Sequence, residues 1–406
     1  MGGSGACFRA MLKNVDHRLT ALSYHQKILF IIILAVAAYG LLIVLDVWFM
    51  GDWINATFGP NPDIDIYRER AQAILDGKIL YKDIDIESPP LINYLLVPPQ
   101  IFGGADWMYQ VWFSIFPLLT GICMYLVMMK WNDRQAFYAA ILAVLCPYAL
   151  VDATFGIQDE PLVAFFYLIP VIIFLAGYAR TSALVGTIAA WVKMLQALIF
   201  PNILIKMKNN KERLIGIVIG VILSLVIMGP FMIATNQGII DIFHYYFLTE
   251  GGNSSGGMSL INLLVRGGID VPGAAGMILT VLVLLASYIL AYKWKLDIWR
   301  SAMLTTVLFL CVYPMIRLGY FIIPFTFFSL WAVKNKNMFL KLIAMYALLF
   351  IGQGIEADGI PYIHSTDGWM ISFIFVLAGL LVMLDITRTC LKTKCFLDEI
   401  PAEASS

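Results

Sequence analysis

Long apolar runs alternate with short basic clusters along the whole chain of 406 residues, and this alternation limits the possible fold more than any other feature. The runs cover 29–50, 107–129, 135–152, 160–178, 214–234, 272–293, 300–316, 318–333, 339–353 and 368–386. Between them lie Lys130/Arg134, Arg180, Lys206/Lys208/Lys211/Arg213, Lys293/Lys295/Arg300, Lys334/Lys336/Lys341 and Arg388/Lys392/Lys394. A helix of about 20 apolar residues crosses ~30 Å of hydrocarbon, so each run can serve as a span. The expected fold is an all-α polytopic membrane protein with about ten full transmembrane helices. With 61% hydrophobic and 13% charged residues, an ordinary soluble domain is excluded. A net charge of zero, spread over small clusters, argues against a nucleic-acid partner.

If every basic cluster faces the cytoplasm, both termini are inside and the acidic loops share the outer face. The expected organisation is a cytoplasmic segment at 1–28, a transmembrane domain at 29–386 that includes an outer loop at 51–106, and a cytoplasmic tail at 387–406. The first run lacks a small-residue cleavage site and reads as an uncleaved anchor in a plasma membrane or its equivalent. Cys7, Cys390 and Cys395 fall in the tails and Cys123, Cys146 and Cys311 in spans, which implies no disulfide framework.

One stretch, LVGTIAAWVKMLQALIFPNILI at 184–205, lies between two basic clusters yet is long enough for only one crossing. An even number of crossings requires a hairpin of two short helices turning near Lys193, the alternative being a single span with one misassigned loop. A buried ammonium there needs a cavity or a partner.

The outer loop contains PDIDIYRERAQAILDGKILYKDIDIESPPL at 62–91, dense in charge and interleaved with tyrosines. Ile64, Tyr67, Ala71, Ile74 and Leu75 recur at helical spacing, which predicts an amphipathic helix on the membrane surface with Asp63 as its N-cap and Asp65 in its first turn. Pro89-Pro90 opens a second short interfacial helix. Two such helices form a lid over the bundle.

The run of Asp63, Tyr67, Ala71, Gly77, Tyr81 and Glu87-Ser88-Pro89-Pro90-Leu91 resembles the first outer loop of the GT-C superfamily of membrane glycosyltransferases. It is most similar to polyprenol-phosphate-mannose-dependent mannosyltransferases and, at Glu87–Leu91, to aminoarabinose transferases and protein mannosyltransferases. GIQDEPLVAF at 156–165, GTIAAWVKMLQALIFP at 186–201 and NSSGGMSLINLLVR at 253–266 resemble further landmarks in the same order, over roughly 29–330. Arg317 and Tyr320 stand where the mannosyltransferases often carry a Trp-His-His pattern.

The resemblance implies transfer of mannose or another hexose from a polyprenyl-phosphate donor to a hydroxyl of a lipid, glycan or protein acceptor, with inversion, on the outer face. Such a displacement needs a base at the acceptor and positive charge at the leaving phosphate. The resemblance places the base at Asp63, with Asp65 as the alternative. Tyr67, Tyr81, Glu87, Gln158, Asp159, Lys193, Arg266, Arg317 and Tyr320 are the expected substrate-binding residues, the three cations being the candidates for the phosphate. No cofactor is required, although Asp63 and Asp159 could hold a divalent cation, Mg or Mn. His17, His25, His244 and His364 lack the spacing of a zinc site. The competing class is a secondary transporter of a small polar or anionic solute, since broken helices with a buried lysine also mark coupling sites.

Overall fold

The computed structural model describes residues 14, 16–58, 62–242, 258–266, 268–269, 271–314, 316–356 and 366–399. It is helical throughout, with no strand among the described residues beyond one isolated bridge between Leu80 and Ile84. In chain order the helices are α1 (Tyr24–Leu45), α2 (Gly51–Phe58), α3 (Pro62–Leu75), α4 (Pro90–Leu95), α5 (Val97–Ile101), α6 (Asp106–Met128), α7 (Asp133–Val144), α8 (Pro147–Ala153), α9 (Glu160–Leu175) and α10 (Ala179–Val192). There follow α11 (Ile199–Lys206), α12 (Asn210–Thr235), α13 (Ile239–Ile242), α14 (Leu260–Arg266), α15 (Gly273–Lys293), α16 (Ile298–Val312), α17 (Ile322–Ala332), α18 (Lys336–Glu356) and α19 (Thr366–Lys392).

Among the described residues, seven segments are long and apolar enough to cross a membrane: Tyr24–Ala56, Asp106–Met128, Asp133–Ala153, Asn210–Thr235, Ala274–Lys293, Lys336–Gly354 and Met370–Asp398. Three shorter apolar helices, Glu160–Leu175, Ile298–Val312 and Leu318–Ala332, occupy the remaining expected spans. Their burial explains their shortness. Every residue of α17, and all but one of α16, is enclosed by other helices. By contrast α12 carries Val218, Val221, Ile222, Leu225 and Val226 exposed, and α15 carries Leu282, Leu285 and Ile289. Contiguous apolar surface of this kind is stable only against lipid, so α12 and α15 form the rim of an integral membrane protein.

The expected hairpin is present. After α10 the chain breaks at Lys193, whose backbone is extended (φ −151°, ψ 139°), and returns through a 3-10 turn, Met194–Leu198, into α11. The arms pack closely: a Cβ on Gly186 of α10 would stand 3.2 Å from the Ile203 side chain of α11. With 14 residues, α10 rises only about 21 Å and cannot complete a crossing.

The expected span at 135–152 is built of two helices, because Pro147 has no N–H to continue the ladder and starts α8 afresh after Cys146. One expectation needs correction: Asp63 lies inside the first turn of α3, which begins at Pro62, and is therefore not its N-cap. Beyond 387, α19 continues to Lys392, and Cys390 and Cys395 are buried. Buried Arg300 holds this segment by donating to Cys390 O (3.2 Å), Thr393 O (3.0 Å) and Asp398 Oδ2 (2.7 Å).

Candidate active site

Four parts of the chain meet at one end of the bundle: the first turn of α3, the α8–α9 connection, the tip of the hairpin, and the 3-10 turn Leu318–Phe321 that precedes α17. The α8–α9 connection folds back tightly. Gly156 N donates to Val151 O (2.9 Å) and Gln158 N to Asp152 O (2.8 Å), with Ile157 held at φ +43°. A β-branched residue in the left-handed region is strained, by about 1–3 kcal/mol, and persists only where its surroundings enforce it. The fold-back brings Asp152 at the end of α8 beside Asp159 and Glu160 at the start of α9.

Lys193 enters this acidic group from the hairpin tip. Its ammonium donates to Asp159 Oδ1 at 2.9 Å, lies 3.5 Å from Glu160 Oε1, and sits 5.3 Å from the centre of the Tyr320 ring. Asp152, Asp159 and Glu160 are all buried, and Asp152 Oδ2 and Glu160 Oε2 have no hydrogen-bond partner among the described residues. Both crowd Gly319: a Cβ built there would stand 2.3 Å from Asp152 Oδ2 and 2.5 Å from Glu160 Cγ. The Asp152 carboxyl is thus within about 5 Å of the Glu160 side chain, close enough for like charges to raise each other's cost of ionisation.

At the mouth, Arg317 Nη1 is 3.6 Å from Asp63 Oδ2. The Arg317 side chain is 67% exposed and that of Asp63 only 25%, so the carboxylate faces the site while the guanidinium stays open to an incoming group. Asp65 points elsewhere: its side chain is 82% exposed and pairs with Arg68 at 3.3 Å. One turn after Asp63, Tyr67 is buried against Tyr109 and Phe113. Burial pushes its phenol well above the usual tyrosine range, and the nearby Asp159 and Glu160 carboxylates push it further, so it is a neutral hydroxyl at any ordinary pH.

The lid is built around the Glu87–Leu91 motif. Ser88 Oγ accepts from Arg70 Nη1 (3.1 Å), Ser88 O accepts from the Tyr81 hydroxyl (2.7 Å), and Asn93 Nδ2 donates to Pro89 O (3.0 Å). Tyr81, at φ +67°, lays its ring edge-on against Phe231 of α12, which ties the lid to the rim. Glu87 is exposed, and no ion pair to Lys82 or Arg70 forms among the described residues. Gln158 is half-buried beside the acidic group.

The structure therefore brings together Asp63, Tyr67, Gln158, Asp159, Lys193, Arg317 and Tyr320. Tyr81 and Glu87 belong to the lid, Asp65 faces away, and the Arg266 side chain lies outside the described residues, as do His244, His364 and 253–257. Among the described residues, no group of three or more His, Cys, Asp or Glu side chains is arranged to hold a metal ion. Asp63 lies beside Arg317, and Asp159 beside Lys193. Sequence reasoning missed Asp152 and Gly319. Asp152 had been placed at the end of a span, and its one signal is an acid closing an apolar run seven residues before Asp159.

Fold and site together define a helical integral membrane protein with charged groups gathered at one end of the bundle. Among solved structures the chain resembles the crystal structure of ArnT from Cupriavidus metallidurans bound to undecaprenyl phosphate, with a TM-score of 0.53 at 14% identity over 93% of this chain and 74% of that one. No protein-family model matches the chain, and no curated protein matches it by sequence.

Proposed function

We propose that this protein transfers a sugar, mannose or another hexose, from a polyprenyl-phosphate donor to an acceptor hydroxyl. The observation that carries the reading is the pairing of Asp63 with Arg317 at 3.6 Å, with Asp63 and the Lys193–Asp159 pair all near Tyr67. This juxtaposition supplies a candidate base and candidate phosphate-binding cations in one neighbourhood. The undecaprenyl phosphate in the ArnT structure gives the lipid class independent support.

In this reading Arg317 takes the donor phosphate, because its guanidinium fork is exposed and needs only to exchange one carboxylate for another anion. That exchange frees Asp63. The acceptor oxygen attacks the anomeric carbon as its proton passes to Asp63, the carbon–oxygen bond to the phosphate breaks, and polyprenyl phosphate leaves with that electron pair on the face opposite the attack. Lys193 lies deeper, holds Asp159 and Glu160 in place, and offsets the charge of the leaving group at longer range. Asp159 and Gln158 offer acceptors and donors for sugar hydroxyls, and the neutral Tyr67 hydroxyl closes the inner wall. The acidic outer loops and the basic clusters at the other end support an extracytoplasmic site with both termini cytoplasmic.

The test is turnover by the purified full chain with a panel of polyprenyl-phosphate hexoses, following release of polyprenyl phosphate. Release that depends on both donor and protein, and that falls when Arg317 is replaced by Ala, supports the reading. Absence of release across the panel, together with uptake of a small solute by liposomes carrying the protein, would assign the chain to transport.

A further inference from the structure

Two basic clusters remote in sequence meet at the opposite end of the bundle, at the start of α16, about 20 Å from the α16 terminus that leads towards Arg317. The α15–α16 turn and the end of α19 enclose a cavity of about 340 Å³, lined among others by Trp294, Lys295, Arg300, Lys392, Thr393 and Lys394. Its two carboxylates are committed. Asp297 Oδ2 is 2.6 Å from Arg300 Nη1, and Asp398 Oδ2 is 2.7 Å from Arg300 Nη2. Lys295, Lys392 and Lys394 are exposed, and none of the three pairs with a carboxylate among the described residues.

Four cations against two anions leave the cavity with an uncompensated positive charge. Trp294 stands exposed at its edge, as an indole does at a membrane–water boundary. Towards its carboxyl end α15 also presents Leu282, Leu285 and Ile289, all exposed. A cationic cavity at the end of a helix whose apolar residues are exposed to lipid matches a molecule with an anionic phosphate head and hydrocarbon tails, and free phosphate would use only the cavity. The basic clusters also mark this end as the cytoplasmic one, where anionic lipids are enriched.

We propose that this cavity binds the headgroup of an anionic phospholipid, with Lys295, Lys392 and Lys394 meeting the phosphate and the tails lying along α15. Occupancy bridges the α15–α16 turn to the end of α19, the segment that Arg300 already pins, and so strengthens the closure of the bundle at the end remote from the candidate active site. The site is independent of the transferase reading.

The experiment is native mass spectrometry and thermal unfolding of the full chain in detergent, titrated with dioleoyl phosphatidylglycerol, with dioleoyl phosphatidylcholine, or with inorganic phosphate. Phosphatidylglycerol is expected to be retained and to raise the unfolding temperature. The triple variant K295Q/K392Q/K394Q is expected to weaken that binding roughly a hundredfold, about fivefold per ammonium. A second triple variant, K208Q/K211Q/K336Q, removes exposed lysines outside the cavity and should change binding less than about twofold. Equal losses in both variants would reduce the effect to general surface charge and overturn the proposal. So would equal retention of phosphatidylcholine, or equal stabilisation by inorganic phosphate.

Discussion

Replacing Gly319 by Ala adds a single methyl group at the point where the Asp152 and Glu160 side chains converge. That methyl would lie 2.3 Å from Asp152 Oδ2, 2.5 Å from Glu160 Cγ and 2.7 Å from Glu160 Cβ, whereas an ordinary contact begins near 3.4 Å. Relief requires a shift of about 1 Å. Asp152 and Glu160 are buried on separate helices, so the movable partner is the 3-10 turn Leu318–Phe321, which carries Tyr320 and directly follows Arg317. Overpacking of this kind destabilises by about 1–3 kcal/mol. A displacement of about 1 Å in a positioning group can slow a reaction by roughly a hundredfold. Gly319→Ala is therefore expected to lose more activity than stability, with the loss in turnover and donor KM measured by polyprenyl-phosphate release. Gly40→Ala serves as the control, because a Cβ there meets nothing within 4 Å, and alanine in a helix interior is expected to stabilise slightly. If Gly319→Ala keeps both the unfolding temperature and the transfer rate of the parent, the convergence of Asp152, Glu160 and the Arg317 turn on one point is refuted.

Other substitutions probe the charge balance. Lys193→Met leaves Asp159 and Glu160 facing each other without a cation and should destabilise by about 3–5 kcal/mol, whereas Lys193→Met combined with Asp159→Asn should recover part of that loss; thermal unfolding of both variants decides, and equal unfolding temperatures would remove the pair from the account. Asp152→Asn relieves one of two crowded carboxyls at unchanged shape, so stability should hold or rise by about 1 kcal/mol; a marked fall would mean that Asp152 has a partner. Arg300→Ala should release the segment 390–398 and expose it to proteolysis at a cost of about 3 kcal/mol, detected as a carboxyl-terminal clip in limited digestion that the parent resists.

Much of this architecture could be read from the chain because the membrane simplifies the problem. Each apolar run has to be a helix, and each basic cluster has to sit near a surface, so the spans and the hairpin tip at Lys193 follow from counting. The start of α9 at Glu160 and of α4 at Pro90 were legible for local reasons, an acid at a helix start and a proline at the first helical position. The break at Pro147 was hidden, because a proline inside an apolar run is compatible with either a kink or a new helix. Gly319 and Asp152 were illegible for a different reason. Their importance lies in a close approach between segments more than 160 residues apart, and neither residue has a local pattern that announces it. The separation of Asp63 from Asp65 was likewise beyond the sequence. Both sit in the first turn of α3, and only the placement of α3 over the bundle turns one towards Arg317 and the other towards Arg68.

That separation offers the most direct test of the central claim, that Asp63 is the base of a sugar transfer. Asn keeps the size and much of the hydrogen bonding of the carboxylate at a helix start while removing its capacity to accept a proton. The measurement is the single-turnover rate of sugar transfer by purified Asp63→Asn and Asp65→Asn, with donor binding measured in parallel. Asp63→Asn is expected to fold, to bind the lipid donor, and to transfer at least roughly a hundredfold more slowly, while Asp65→Asn stays within a few-fold of the parent. Near-parental transfer by Asp63→Asn would contradict the account.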